Sequence, residues 1–382
     1  MTGRFPAGGA GPSTESGVRM RATLDQVLRL RVERHLLGAE RAPDEVAVAA
    51  RLSGVHAQLT ASAVTATELR CAGPVDLDTA LWRDRTLVRT WAARGTLHLL
   101  PAADLPVWVA AMSTRTRETK GSWLKYHGVT AEQMADIIAA VPDVLGGEPM
   151  TREELADAII AAVGHEELRA PLTQGFGAIL KPLAFRGLLC SGPPRGRNVT
   201  FVAPRAWLGA VPPGAPDPVP TDPVPTDPVP TDEAIDTLAL AYLGAYGPAD
   251  AVEFARWFDL APPLAKKSFA RLADRLTEVE GFGFVPAGTE PPPSGPDTVH
   301  LLPAFDPYVV GSLRQLDTVC TGPRSAVSRP QGWISPTLVV NGRIEGVWES
   351  DPATGRPVVT AFGRLPAAVR RNLPEGAVTS GG

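Results

Sequence analysis

The feature that most constrains how this chain can fold is a proline-rich repeat near its middle. In PDPVPTDPVPTDPVPTDE, from Pro216 to Glu233, the unit Asp-Pro-Val-Pro-Thr occurs three times. Proline fixes φ and removes backbone donors, so this stretch disfavours helix and sheet and favours an extended polyproline II conformation. We predict a semi-rigid linker over residues 211–232 with no chemistry of its own. It separates a longer N-terminal body from a C-terminal one.

Composition narrows the class of protein. With 382 residues, 44% hydrophobic and 20% charged, the chain resembles a soluble globular protein with two or three packed units. Residues 1–20 are rich in Gly, Ser and Pro without an apolar centre, which predicts a disordered arm rather than a secretion signal. No apolar run is long enough to cross a membrane, so we expect a cytoplasmic protein with no membrane partner.

Charge and cysteine content exclude two further classes of site. The net charge of −4 argues against a protein whose whole surface binds phosphates, although arginines crowd some turns. The cysteines Cys71, Cys190 and Cys320 are odd in number, far apart and without metal-ligand spacing. We expect them to be reduced and expect no structural zinc site.

Hydrophobic periodicity predicts helices followed by a hairpin in the first hundred residues. Thr23 is placed to cap a helix that ends near Leu37, and further helices are expected over 43–52, 60–70 and 76–82. Residues 86–100, TLVRTWAARGTLHLL, contain two short apolar runs around a turn, which is typical of a β-hairpin. Helices closed by a hairpin are typical of a winged helix.

The same order of elements occurs twice more. A helix opened by Thr151, a second helix over 172–185 and two strands around residues 192–196 form one copy; three helices and several strands after the linker form another. We therefore predict an α+β, mainly helical fold with three tandem winged-helix domains. The predicted segments are a disordered arm (1–20), winged helix 1 with the site motif (21–115), winged helix 2 (116–210), the linker (211–232), winged helix 3 with C-terminal strands (233–370) and a tail (371–382).

Several sequence strings together resemble one family. LDQVLRLRVERHLL, GVHAQLTASAV, RTWAARGTLHLLP, LLPAFDPYVVGS and TLVVNGRIEGVWE are similar, in this order, to the winged-helix DNA glycosylases of the AlkZ/YcaQ type. The resemblance covers roughly residues 21–365. It implies tandem winged helices that form a concave DNA-binding surface, double-stranded DNA with alkylated purines as partner, and hydrolysis without a metal or cofactor. We also expect a monomer.

The family's catalytic motif is a polar residue, an apolar residue and a second polar residue, typically Gln-x-Gln or Gln-x-Asp. The matching tripeptide here is His56-Ala57-Gln58. Histidine at the first position resembles the subgroup associated with bulky, intercalating guanine-alkylating antibiotics. The resemblance thus implies a monofunctional glycosylase that removes cationic N7-alkylguanine adducts, in self-resistance and base excision repair. Without the resemblance, a histidine in a polar turn is more often structural.

The chemistry of such a lesion suits His56 and Gln58. Alkylation at N7 gives guanine a positive charge, so the base leaves as a neutral group and needs no general acid. What remains is to stabilise an oxocarbenium-like sugar and to position a water molecule. In an extended segment we expect both side chains to point to one side, with Ala57 packed inward. A neutral imidazole, with an unperturbed pKa near 6.5, would take a proton from the water that Gln58 orients.

Arginines on exposed turns are the candidates for DNA contacts, with a solvated surface role as the alternative for each. The predicted DNA-binding residues are Arg94, Lys181, Arg195, Arg197, Arg314 and Arg324. Residues 311–332 resemble the place where the family carries a duplex-probing hairpin. Trp91 reads as a core residue rather than a stacking residue, and Asp306 either as part of a family signature or as a turn cap.

Substrate access and alternative functions complete the predictions. The sequence shows no deep aromatic pocket, so we expect the lesion to be contacted from the groove rather than flipped fully into the protein. A non-catalytic winged-helix regulator would explain the fold and the arginines without a role for His56 and Gln58. A drug-sequestering protein that binds free antibiotic is the third possibility.

Overall fold

The computed structural model describes residues 19–175, 177–209, 229–293, 295–373 and 377–379. The chain is 49% helix and 19% strand, which confirms the predicted α+β, mainly helical fold class. It forms two compact units. The first comprises the described parts of Ala42–Leu238 and Ala255–Ala261, and the second those of Met1–Arg41, Ala239–Phe254 and Pro262–Gly382. Within the described ranges, no helix is long and apolar enough to span a membrane.

The described residues form the following α-helices and β-strands. The helices are α1 (Leu24–Arg34), α2 (Glu45–Arg51), α3 (Thr60–Glu68), α4 (Leu105–Met112), α5 (Gly121–His127), α6 (Ala131–Val144), α7 (Arg152–Val163), α8 (Arg169–Thr173), α9 (Lys181–Phe185), α10 (Pro204–Gly209), α11 (Thr231–Tyr246), α12 (Ala251–Phe258), α13 (Pro262–Arg271), α14 (Pro307–Gly311), α15 (Leu316–Val319), α16 (Arg324–Val327) and α17 (Ala367–Arg371). The strands are β1 (Arg19–Met20), β2 (Val55–His56), β3 (Leu87–Trp91), β4 (Leu97–Pro101), β5 (Met150–Thr151), β6 (Cys190–Arg195), β7 (Asn198–Val202), β8 (Leu276–Val279), β9 (Gly283–Pro286), β10 (Val299–Leu302), β11 (Thr337–Val340), β12 (Arg343–Ser350), β13 (Pro357–Ala361) and β14 (Val378–Thr379).

The helix starts that the sequence predicts are confirmed. Thr23 and Thr151 each accept a hydrogen bond from the backbone N–H three residues later and form reciprocal capping boxes with Gln26 and Glu154. These contacts satisfy N–H groups that the first turn of a helix leaves without partners.

Two antiparallel sheets organise the first unit. The strand order is β2-β4-β3 in one sheet and β5-β7-β6 in the other. Each sheet contains a hairpin that follows a group of helices, which is the element order predicted for a winged helix. The concave arrangement of three such domains stays a prediction.

The helix predicted over 172–185 is broken in the structure. Helix α8 ends at Thr173 and α9 begins at Lys181, with Gly177 between them at φ +70°. A Cβ at Gly177 would lie 2.6 Å from Cζ2 of Trp91, so the chain bends to pack its backbone on the indole. Helical periodicity does not reveal this close approach, and the predicted continuous helix was wrong.

We expect Gly177→Ala to lower the free energy of unfolding by about 2 kcal/mol, because it adds both a left-handed strain and a steric overlap. Gly128 has a similar φ of +67° but nothing within 4 Å of its hypothetical Cβ. Gly128→Ala is the matched control. It should lower the free energy of unfolding by about 1 kcal/mol, because it adds the left-handed backbone strain without a steric overlap. Urea denaturation of both variants measures the difference; equal losses would mean that the Trp91 contact is unimportant.

The second unit contains two more sheets. Strands β1, β8 and β9 form a three-stranded sheet in the order β1-β8-β9, and β10 to β14 form a five-stranded sheet in sequence order. Strand pairs β1–β8 and β13–β14 are parallel. The larger sheet has an apolar core that includes Leu301, Leu338 and Val359.

Helix α1 belongs to the second unit, although the sequence grouped it with the first module. Its residues Val27 and Leu30 pack with Val279 and Val285 of β8 and β9. Burial of these apolar side chains stabilises the long-range pairing, which the local pattern around α1 does not show. Helix α1 ends at Arg34, slightly before the predicted end near Leu37, and His35 is its C-cap.

Parts of five predicted segments fall outside the described residues. These parts are residues 1–18 of the arm, 176 and 210 of winged helix 2, 211–228 of the linker, 294 of winged helix 3, and 374–376 with 380–382 of the tail. Arg19 and Met20, which the sequence placed in the arm, instead form β1 beside Glu278 and Val279. The cysteines Cys71, Cys190 and Cys320 are all free thiols.

Candidate active site

The tripeptide His56-Ala57-Gln58 begins in β2, an edge strand of its sheet. Val55 and His56 pair with Leu99 and His98 of β4. The N–H of Ala57 donates to the carbonyl of Leu97 at 2.7 Å, which continues the pairing through the centre of the motif. Cross-strand hydrogen bonds therefore hold the motif backbone in place.

A tight turn delivers the chain from α2 into this strand. Gly54, at φ +94°, sits so close to β4 that a Cβ there would lie 2.9 Å from Cδ2 of Leu100. A side chain at this position would be strained by both its φ and this contact. The glycine in front of the motif thus allows the motif to approach β4.

The side chain of His56 is buried, which differs from the expectation that it faces the solvent with Gln58. Only 5% of His56 is accessible, and its ring makes an edge contact with His98 at 5.4 Å between centroids. Directly opposed residues of antiparallel strands share a sheet face, and helix α2 packs against β4. Ala57 is buried as predicted, whereas Gln58 is exposed.

Burial keeps both imidazoles neutral. The pKa of His56 is lowered to about 3, mainly by burial and further by the positive charge of Arg94. Burial, with smaller repulsions from His56 and Arg94, holds the pKa of His98 well below 6.5. His98 Nδ1 lies 2.9 Å from the carbonyl oxygen of Thr96, an acceptor, so Nδ1 carries the proton and Nε2 is left as an acceptor. A group with such a low pKa is a poor base at neutral pH, so the predicted proton transfer to His56 is disfavoured.

Gln58 lines a cleft of about 700 Å³ within the first unit. Arg89 lines the same cleft and donates from Nη2 to the carbonyl oxygen of Ala57 at 3.0 Å. Burial lowers the pKa of Arg89. The guanidinium thus fixes the peptide group between Ala57 and Gln58, and it adds positive charge to the cleft.

The walls of this cleft contain aromatic residues, contrary to the prediction that no aromatic pocket exists. The side chains come from the α3–β4 region and from the β6–β7 hairpin, and they include Trp82, Trp91 and Phe201. Trp91 is only 6% exposed and stacks on Phe201 at 6.0 Å, which confirms its predicted core position. Sequence periodicity did not indicate the cleft because its two walls lie far apart in the chain, with Ser191 on one wall coming 92 residues after Leu99 on the other.

Two predicted DNA-binding residues come together in a second cleft. Arg94, in the turn of the first hairpin at φ +54°, and Lys181 at the start of α9 both line a space of about 860 Å³. Arg117 and Lys125 line it too, and the electrostatic effect of Arg94 reaches His56. The buried histidine of the motif is therefore electrostatically coupled to a basic cleft.

The four other predicted DNA-binding residues differ in whether their guanidinium groups already have partners within the protein. Arg195 is engaged by Glu154 at 2.6 Å, and its neighbour Arg197 is exposed. Arg314 is exposed, whereas Arg324 donates to the carbonyl of Leu313. Arg314 and Arg324 belong to the second unit and the other four to the first.

The structure also tests two sequence interpretations in the second unit, the hairpin expected within residues 311–332 and the role of Asp306. Residues 311–332, expected to contain a probing hairpin, form short helical turns, among them α15 and α16, so that prediction was wrong. Leu316, Val319 and Val327 are buried there, which favours compact turns over an extended hairpin. Asp306 is a turn cap: its buried carboxylate accepts the N–H of Tyr308 at 2.9 Å.

Several residues of the two clefts escaped the sequence analysis. They are Trp82 and Arg152 in the cleft of Gln58, and Arg115, Arg117, Lys125, Tyr126 and His127 in the basic cleft. The basic run TRTRETK, residues 114–120, is the one signal that points to part of this set. Among the described residues, no group of three or more His, Cys, Asp or Glu side chains is arranged to hold a metal ion.

Comparisons with known proteins agree with the resemblance noted from the sequence. The family model for AlkZ-like DNA glycosylases matches residues 49–378. A relative from Streptomyces sahachiroi, named interstrand DNA cross-link repair glycosylase, is 37% identical over 345 residues, which cover 86% of this chain and 88% of the relative.

A solved structure extends the similarity to the fold. The Streptomyces sahachiroi DNA glycosylase AlkZ matches with a TM-score of 0.80 at 36% identity, covering 92% of this chain and 94% of that one. These findings favour an enzyme over the regulator and the drug-sequestering protein. The chain belongs to the AlkZ-like family of DNA glycosylases, hydrolases that act on N-glycosyl bonds.

Proposed function

We propose that this DNA glycosylase hydrolyses the N-glycosidic bond of cationic N7-alkylguanine adducts, including bulky antibiotic adducts, as self-resistance and as the first step of base excision repair. The observation that carries the proposal is the arrangement of the motif: Gln58 lines a cleft, and the buried imidazole of His56, two residues earlier, is neutral because its pKa is lowered to about 3. The name of the Streptomyces sahachiroi relative makes a cross-linked guanine a natural further substrate to test.

The charge of the alkylated base explains why a site without a general acid is sufficient for hydrolysis. Cleavage of the bond returns the electron pair to the cationic purine, which departs neutral and takes no proton. Asp76 lines the cleft, and hydrogen bonds from the backbone and side chain of Thr79 lower the pKa of its carboxyl. That carboxylate therefore stays ionised and is not a proton donor. A site with these groups favours substrates that are already activated.

His56 and Gln58 act on the sugar. The developing oxocarbenium ion is positive, and a neutral imidazole avoids the repulsion that an imidazolium would cause. We assign His56 the role of a hydrogen-bond acceptor and dipole rather than that of a base. Gln58, exposed at the cleft, orients the attacking water through its amide oxygen, and the proton that this water loses when its oxygen bonds to the anomeric carbon passes to bulk water.

The product would be an abasic site without strand cleavage by the enzyme. A strand-cleaving glycosylase needs an amine to form a Schiff base with the sugar. Among the described residues that line the Gln58 cleft, none is a lysine. This supports the assignment as a monofunctional enzyme, and we propose separately that it acts as a monomer on double-stranded DNA.

For DNA binding we propose Arg94 and Lys181 as the principal contacts, since they share one basic cleft. The exposed Arg197 and Arg314 are free of acidic partners in the described salt bridges, and Arg195 and Arg324 would exchange Glu154 and Asp317 for phosphates. Loss of a phosphate contact weakens binding and reduces its salt dependence.

We expect the rate of base release to be nearly independent of pH between about 5.5 and 8.5, because His56 stays neutral throughout. The rate should change by less than about twofold through pH 6.5. Single-turnover release of N7-methylguanine from a duplex, corrected for spontaneous depurination, measures this. A sigmoidal loss of rate centred near pH 6.5 would show that a titrating histidine is the base.

Unlike the rate of base release, the free energy of unfolding is expected to depend on pH. The unfolded chain has an ordinary histidine pKa near 6.5, so between about pH 3 and 6.5 it binds a proton that folded His56 does not. The contribution of His56 to the free energy of unfolding is fully present above pH 6.5 and decreases as the pH falls below that value. Rates at low pH must therefore be checked for unfolding.

A further inference from the structure

The cleft beside Gln58 has two apolar walls of separate origin. One wall carries Val64, Val75 and Trp82, and the other carries Val199 and Phe201 from the β6–β7 hairpin. Val199 is 49% exposed, which is unusual for an apolar residue in a strand beside other apolar side chains. The volume of the cleft, about 700 Å³, lies in the range of pockets that bind drug-sized ligands.

Polar groups hold these walls in fixed positions. The indole N–H of Trp82 donates to Oδ1 of Asp78 at 3.2 Å, which fixes the ring orientation. Arg152 donates to the carbonyl oxygens of Thr173 at 3.3 Å and Gly175 at 3.0 Å. A preformed pocket loses little conformational entropy when a ligand binds.

The charges next to Trp82 suit a cationic aromatic ligand, while the cationic Arg89 and Arg152 line other parts of the cleft. Asp76 and Asp78 place carboxylates beside the half-buried indole of Trp82. An aromatic face attracts a cation, and carboxylates add to the attraction. A purine alkylated at N7 is cationic and planar, and any aromatic substituent it carries adds the apolar surface that Trp82 and Val199 can cover.

We infer that this cleft binds the planar aromatic substituent of a bulky N7-guanine adduct, with Trp82 and Val199 on opposite walls, while Gln58 faces the sugar. The inference rests on the proposed function. Small adducts such as N7-methylguanine lack a substituent that would fill the space between Trp82 and Val199, so their release depends on the His56 motif and not on these two side chains. Trp82 and Val199 are thus specificity-determining residues rather than catalytic ones.

The test compares Trp82→Ala and Val199→Ser with the wild type on two duplexes, one carrying N7-methylguanine and one carrying an aflatoxin N7-guanine adduct. Trp333→Ala, at an indole that is 42% exposed in the other unit, is the matched control. We expect Trp82→Ala to weaken binding of the aflatoxin duplex about tenfold and Val199→Ser to weaken it less, with little change for N7-methylguanine. Trp82→Phe should restore most of the affinity.

Two readouts separate the inference from the proposed function. Single-turnover release reports catalysis, and anisotropy titration of each duplex reports binding even if no base is released. Equal losses on both duplexes, or none on either for Trp82→Ala and Val199→Ser, would overturn the inference. Failure of the wild type to release N7-methylguanine would contradict the proposed function, while the binding titration would still decide whether the cleft prefers the bulky adduct.

Discussion

Gln58→Ala is expected to slow base release from N7-methylguanine duplex by about 100-fold or more, because the attacking water loses its orienting amide. His56→Ala should have a loss of similar size, and the double variant should lose less than the product of the two, since both act on one transition state. The measurement is single-turnover release at saturating enzyme. DNA binding should change little.

Further variants distinguish the role of His56. His56→Gln supplies a neutral acceptor that cannot titrate and restores the Gln-x-Gln pattern typical of the family, so we expect it to retain most of the activity that His56→Ala loses. His165, whose ring lies 3.4 Å from Asp136 in a different part of the unit, offers a control. His165→Ala should leave the rate unchanged. Full activity in the His56→Ala, Gln58→Ala double variant would refute the assigned mechanism.

The second large effect that we expect is a loss of folding stability when Arg115 is replaced. Arg115 is 5% exposed, donates to the buried carbonyls of Ala92 at 2.9 Å and of Phe258, and stacks between the rings of Phe185 and Phe258. Burial lowers the pKa of its guanidinium to about 10, so it is still charged at neutral pH. Arg115→Met should lower the free energy of unfolding by about 3 to 5 kcal/mol, since two buried carbonyls lose a charged donor.

Urea denaturation measures this loss, with Arg117→Met as the control. Arg117 is 69% exposed and pairs with Asp259 at 2.7 Å, so its removal should cost less than about 1 kcal/mol. Arg115→Lys should recover only part of the stability, because one ammonium does not match the planar fork of the guanidinium. Similar losses for Arg115→Met and Arg117→Met would show that the buried contacts contribute little.

The local part of the fold was predictable from the chain. Thr23 and Thr151 cap the helices that they were expected to cap, and the hairpin over residues 86–100 forms β3 and β4. These features depend on residues a few positions apart, where propensity, capping and alternation act directly. The motif His56-Ala57-Gln58 was likewise found from the sequence, through its resemblance to a family rather than through its own pattern.

Errors arose wherever distant segments meet. The helix expected over 172–185 breaks at Gly177 because Trp91 lies against it, and α1 joins the C-terminal unit because its apolar side chains pack on β8 and β9. His56 was expected in the solvent with a pKa near 6.5. Its pairing with His98 buries it and lowers that pKa to about 3.

The chain itself therefore determined the helices, the hairpins and the identity of the motif, since short-range hydrogen bonding and periodic apolar side chains encode them. Only the tertiary structure decided that His56 is neutral, that Arg89 anchors the motif backbone, and that Trp82 and Val199 line the same cleft. The physical reason is that burial and electrostatics depend on which remote segments come together. No local pattern of residues records that contact.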